Sequence, residues 1–107
     1  MANVFKNAKL YLSASAQDIY TVPASTTSII FNTHVTNISA SAESFTLTWT
    51  DSSDSDTETY IADEFSIPYQ AAYEPISKLI LETGDKLKGF AGSASALQIT
   101  VSILEQS

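Results

Sequence analysis

Near its end the chain reads Leu97-Gln98-Ile99-Thr100-Val101-Ser102-Ile103, apolar and polar residues in strict alternation. Successive side chains of an extended strand point to opposite faces, so a period of two describes a strand with one buried and one wet face, and it does not fit an amphipathic helix. A lone strand has no stability in water and requires a sheet. Upstream, Ser77, Leu79, Leu81 and Thr83 offer one face of a second strand and Lys78, Ile80 and Glu82 the other. Between the two segments, Gly84-Asp85 supplies a permissive backbone for reversal. The stretch 76–105 therefore commits the chain to β-structure, and the remainder must supply the other strands of one body.

Residues 5–14 place Ala8, Leu10 and Leu12 on one side and Lys9, Tyr11 and Ser13 on the other, an outer strand whose lysines suit a sheet edge. Residues 1–7 precede and overlap it as an N-terminal arm. After a small polar loop at 13–17, the segment DIYTV is a short strand stopped by Pro23, which lacks the N–H an interior ladder needs. Residues 27–38 are rich in β-branched side chains and predict a long strand with Ile29, Phe31, Thr33 and Val35 inward and His34 outward. A turn of small residues at 39–43 follows. Next come Phe45, Leu47 and Trp49, alternating with Thr46, Thr48 and Thr50, with Trp49 as the expected core anchor.

The acidic stretch DSSDSDTE at 51–58 reads as a hairpin loop returning into a strand at 59–67, where Ile61, Phe65 and Ile67 share a face. Pro68, Tyr69, Tyr73 and Pro75 break the pattern and predict a crossing loop over 66–75, and 88–95 is a less regular strand or loop. Seven or eight short strands without a helical period predict a single all-β domain over residues 1–107. Its architecture is a β-sandwich, Ig-like or jelly-roll.

The 107 residues suffice to bury one core without a staple, and there are no cysteines. A disulfide framework, a thiolate metal site and a cysteine nucleophile are thereby excluded. Twelve acidic residues stand against five basic ones, all lysines, for a net charge of -7. Without arginine the chain lacks the bidentate fork used on phosphate and guanine, and its net charge repels nucleic acid and anionic lipid alike. Neither nucleic acid nor a membrane is an expected partner. The opening Met1-Ala2-Asn3-Val4-Phe5-Lys6 lacks the apolar core of a signal peptide, so the expectation is a soluble protein made without an export signal.

Four features bear on chemistry. Asp51, Asp54, Asp56 and Glu58 offer oxygens at alternating positions that calcium can use, but the glycine of an EF-hand loop is missing and the flanks are strands. A solvated hairpin tip is the default, and neither a metal nor a cofactor is expected. His34 is the only histidine, which leaves a zinc site or a catalytic triad without partners and marks a surface or interface residue. Serines abound, but no G-x-S-x-G elbow is present, so no catalytic residues are assigned and the chain does not read as an enzyme. Tyr69 and Tyr73, in irregular chain, either form an amphipathic contact surface or roof an open end of the sandwich.

The segments IYTVPASTTSIIFNTHVTN (19–37) and KLILETGDKLKGFAGSASALQITVSILE (78–105), with an alternating strand and acidic loop between them, resemble a group of small tailed-bacteriophage structural proteins. In that group a YTVPA opening precedes the first long strand, and an L-x-x-G-D-x-L turn precedes a small-residue stretch and the last strand. Ser25 stands where that group commonly has glycine, so a different turn type is expected there. The resemblance implies a non-enzymatic β-sandwich of the virion, either a capsid decoration (cement) protein or a neck or tail accessory subunit. Its partners would be the major capsid protein or neck and tail subunits, after synthesis in the host cytoplasm. Independently, a small sandwich leaves edge strands that need protection or a partner, so a homo-oligomer such as a trimer or ring is expected.

The expected contact residues are Val4 and Phe5 of the arm and Tyr69 and Tyr73 of the loop. A carbohydrate-binding or adhesin-like module is the alternative, with Trp49, Tyr60, Tyr69 or Tyr73 as a stacking platform. It is disfavoured because the alternation of its strand sends Trp49 inward with Phe45 and Leu47.

Overall fold

The computed structural model describes residues 2–107, which form nine β-strands and one 3-10 turn. The strands are β1 (Asn3–Tyr11), β2 (Gln17–Thr21), β3 (Thr27–Asn37), β4 (Glu43–Asp51), β5 (Thr57–Ile67), β6 (Ala72–Ile76), β7 (Leu79–Leu81), β8 (Lys86–Ala91) and β9 (Leu97–Gln106). The chain pairs as one long antiparallel hairpin: β4 with β5, β3 with β6 and β7, β2 with β8, and β1 with β9. That hairpin is rolled up by two further pairings, β3 with β9 and β4 with β8. The result is two facing sheets of order β1-β9-β3-β6 and β2-β8-β4-β5, with β7 continuing β6 along β3. This is the jelly-roll order, which decides between the two sandwiches expected from sequence.

The inward parity of β9 holds throughout: Leu97, Ile99, Val101 and Ile103 are all buried. They meet Phe45, Leu47 and Leu87 of the other sheet in a core that also includes Leu12, Ile30, Val35, Ile67 and Leu81. Trp49 also faces inward but is only half-buried, and Phe45 is the largest fully buried side chain.

β3 departs from its expected pattern in a specific way. Ser28 and Ile30 are buried where Ile29 and Phe31 were expected inside, whereas Thr33 and Val35 are inward as expected. The register explains the switch, since Ile30 lies opposite Ile103 and Asn32 opposite Ser102, leaving Phe31 as an extra residue in a β-bulge. One inserted residue reverses the parity of everything before it.

Other boundaries shift for related reasons. Residues 88–91, expected within a less regular strand or loop over 88–95, belong to the regular strand β8. The turn at 82–85 carries the chain from the first sheet to the second and does not close a hairpin, because β7 pairs with β3 and β8 with β4. Tyr73 and Pro75 lie on β6, and the crossing loop shrinks to 68–71. From Asn3 onward the expected arm is the first half of β1, paired with β9; Met1 lies outside the described residues. Ser25 adopts φ 54°, so it occupies the left-handed conformation a glycine would take and no other turn type is needed.

Candidate functional site

The alternation of each strand sorts the outer face of the first sheet into rows. Phe5 lies opposite Leu104, Leu104 opposite Ile29, and Ile29 opposite Ile80, an apolar row that crosses β1, β9, β3 and β7. Phe5 is 74% exposed and Ile80 58%. The bulge that expels Phe31 from the core delivers it to this face, where its ring stacks on Phe5 with centroids 5.9 Å apart and planes at 20°. Because β9 separates their strands, the two rings lean across it and roof it. The neighbouring rows are polar: Asn7, Ser102 and Asn32, then Lys9, Thr100 and His34. An exposed apolar strip with polar rims is the signature of a contact surface.

The two ends of the sandwich differ in charge. At one end lie Asp51, Asp54, Asp56, Glu58 and Glu82, around the 3-10 turn Ser52–Asp54 and the 82–85 turn. At the other, the loops 12–16, 38–42, 68–71 and 92–96 carry no charged side chain at all. Three of these loops contain the same tetrapeptide, Ser-Ala-Ser-Ala, at 13–16, 39–42 and 93–96. Buried Asn37 fixes one of them, donating to the carbonyls of Ser41 and Ile67 at 2.9 and 3.0 Å while its own carbonyl accepts from Ser39.

Two polar clusters inside the molecule are satisfied by protein partners, whereas Asn32 Oδ1, Thr33 Oγ1 and Thr50 Oγ1 are buried without one. Asp85 is fully buried, and its carboxylate accepts from the Glu82 amide (2.9 Å), the Ser52 amide (3.0 Å), Ser52 Oγ (3.1 Å) and Trp49 Nε1 (3.3 Å). Burial pushes this carboxyl up, but the two amides, the indole and the hydroxyl together outweigh it and hold Asp85 below its ordinary range. Gly84 in the same turn has φ 85°, where a side chain is strained, and a Cβ there would meet Ser52 Oγ at 2.9 Å. Asp51, Glu82 and Asp85 bring carboxylate oxygens within 4.8 Å of one another, but Asp85 already spends both of its oxygens on protein donors.

Between the sheets, the Tyr20 hydroxyl donates to Glu105 and lies 2.7 Å from Ser28 Oγ, and Lys6 Nζ is 3.3 Å from Glu105. Burial and then the Glu105 hydrogen bond push the Tyr20 phenol up to about 12. This cluster ties β1, β2, β3 and β9 together across the interior. His34 Nε2 sits 3.5 Å from Glu74 Oε1 on the outer face, half exposed, as its strand position required.

The four expected contact residues do not form one surface. Phe5 belongs to the apolar row, while Val4 points to the opposite face of β1, opposite Glu105. Tyr69 is exposed in a loop at the uncharged end. Tyr73 stacks on Phe65 with centroids 4.3 Å apart and planes at 14°, and both rings pack near Phe45, closing the side of the sandwich between the edge strands β5 and β6.

Ile29, Phe31, Ile80 and Leu104 were missed as surface residues. Ile80 and Leu104 were visible as apolar residues at positions whose parity faces water, whereas Phe31 required the bulge. The four rings of the stacking platform are likewise not assembled: Trp49 faces the core, and Tyr60, opposite Thr48, is on the outer face of the same sheet.

No protein-family model matches the chain, and no curated protein sequence does. Solved structures do share its fold. A chain of the acidic stable capsid of Helicobacter pylori bacteriophage KHP30 is 7% identical with a TM-score of 0.57, over 98% of this chain and 87% of that one. A chain of the Bacillus endospore appendages, described as disulfide-linked pili, is 10% identical with a TM-score of 0.57, over 97% and 84%. A chain of the infectious bursal disease virus particle is 8% identical with a TM-score of 0.58 over 96% of this chain but 30% of that one. At these identities the likeness is one of fold.

Proposed function

We propose that the protein is a non-enzymatic structural subunit of a virion, of the capsid-decoration (cement) kind, seated in many copies on a capsid lattice through the outer face of its first sheet. The observation that carries this reading is the apolar row Phe5–Leu104–Ile29–Ile80, exposed at Phe5 and Ile80 and half-buried between them, with Phe31 stacked on Phe5 and polar rows beside it. Four features of the chain support it. Its jelly roll is a fold used by a bacteriophage capsid chain. Its turn-and-strand motifs resemble those of small tailed-phage structural proteins. Its Asp85 and Tyr20–Glu105 clusters hold turns and sheets together, and its acidic surface keeps a free subunit soluble before assembly. A neck or tail accessory subunit is the neighbouring reading and would use the same surface.

The fold is equally that of an endospore appendage chain, but a disulfide-linked fibre requires cysteines, and this chain has none. The test is incorporation into gradient-purified particles of the wild type and of a Phe5→Ser/Ile80→Ser double variant, both residues being exposed so that the fold survives. The reading expects wild type in the particle band and the variant in the soluble fraction. Equal incorporation of the two, or wild type absent from particles, overturns it.

A further inference from the structure

We infer that β1 is a strand-addition seam at which two copies of this chain pair antiparallel across a two-fold axis centred on Asn7. The inference concerns the chain itself and does not depend on the virion reading.

The first sheet ends in β1 and β6/β7 and the second in β2 and β5, and an edge strand leaves a row of backbone N–H and C=O groups unpaired. Three of these edges carry the features that obstruct addition of another strand. β2 has five residues and a register shift between Asp18 and Tyr20. β6 contains Pro75 and a register shift, and β7 has three residues. β5 is long but breaks register twice, forces Glu64 to φ 50° and exposes Asp63 and Glu64. β1 alone is long and regular, with nine residues in unbroken register against β9, and its other side pairs with no strand among the described residues. Its protection is Lys6 and Lys9.

Those lysines restrict the register in which a second copy can pair. Pairing β1 with a second β1 antiparallel over its full length, Asn3 against Tyr11, puts Asn7 against Asn7. In that register Val4 meets Leu10 of the other copy, Lys6 meets Ala8, and Lys9 meets Phe5. Exposed Val4 gains an apolar neighbour on the core-side face, and the Lys9 ammonium lies beside an aromatic ring on the outer face. No lysine faces a lysine. Sliding the partner by one pleat in one direction sets Lys6 against Lys6, and sliding it further the other way sets Lys9 against Lys9, so charge selects against those registers. A two-fold axis normal to the sheet gives an isologous, closed dimer, with the apolar rows of both copies facing the same way.

The chain has no cysteine, so a single engineered one reports the seam without background. Asn7 is exposed, and Asn7→Cys should leave the fold intact. Under mild oxidation Asn7→Cys should form a disulfide-linked dimer at least tenfold faster than Thr57→Cys, an exposed site on β5, because opposed residues of adjacent strands fall within disulfide reach. Asn3→Cys and Tyr11→Cys should cross-link readily only when mixed. The wild type should sediment as a dimer at ~100 µM, and Asn7→Lys, which opposes two like charges, should weaken that dimer at least tenfold at low salt.

A monomeric wild type at that concentration overturns the inference. So does Asn7→Cys cross-linking no faster than Thr57→Cys, or Asn3→Cys alone cross-linking as fast as Asn7→Cys, which would mark a different register or edge.

Discussion

Replacing Asp85 should cost more stability than replacing any other acidic residue, and the cost should shrink in acid. Its carboxylate is the common acceptor for the amides of Glu82 and Ser52 and for the Trp49 indole, at 2.9, 3.0 and 3.3 Å, and it is fully buried. Asp85→Asn keeps the shape but turns part of the acceptor into a donor, and Asp85→Ala removes it. With three N–H donors stranded at the low end of ~1 kcal/mol each, the loss is about 3 kcal/mol, a large share of the ~5–15 kcal/mol that holds a domain together. For a domain of this size it corresponds to a fall in Tm of roughly 12–20 °C.

Because the folded state holds Asp85 below its ordinary range, its contribution is fully present above a normal carboxylate pKa of about 4 and is lost as pH falls through the lower, folded value. Urea denaturation read by the fluorescence of Trp49, the single tryptophan, tests both points at pH 7 and at pH 2.5. A loss under 1 kcal/mol at pH 7, or a difference from wild type undiminished at pH 2.5, would refute the assignment of Asp85 as the clamp between the β4–β5 and β7–β8 connections.

Deleting Phe31 should be tolerated better than truncating its buried neighbour Ile30 to Ala, because the deletion closes the bulge and joins Ile30–Ile103 to Asn32–Ser102 in continuous register; paired thermal melts decide the order. Ser25→Gly should raise stability by up to ~1 kcal/mol by relieving the positive φ, and a destabilised variant would count against that backbone reading. Calcium or a chelator should leave the Tm unchanged, since saturation at one hundred times Kd would add about 2.7 kcal/mol and a rise of several degrees would reveal a site at the acidic end.

What was legible in the sequence was whatever obeys strict alternation. β9 declared its inward face from Leu97 to Ile103, and Phe45, Leu47 and Trp49 declared that of β4, so fold class and most of the core followed. Part of the outer apolar row was hidden by one residue. Phe31 in a β-branched run reads as core until its register against β9 shows the bulge, and with it Ile29 moves from inside to outside.

β5 concealed its geometry in the same way, its two register shifts leaving Phe65 at an edge where it stacks on Tyr73 instead of filling the centre. The order of strands was not legible because alternation carries no information about which strand neighbours which. The jelly roll emerges only from nested long-range pairing. The three Ser-Ala-Ser-Ala loops were in plain view, but their gathering at one end follows from that pairing as well.

The most direct test of the account is the copy number of this chain in intact, gradient-purified particles, measured by quantitative mass spectrometry against the shell protein of the same particles. A capsid-seated subunit predicts a fixed, symmetric stoichiometry of many copies per particle that survives a high-salt wash, as an apolar contact should. Recovery of the chain only in the soluble fraction, or at variable trace levels, would contradict the claim that its exposed apolar row is built for a repeating lattice.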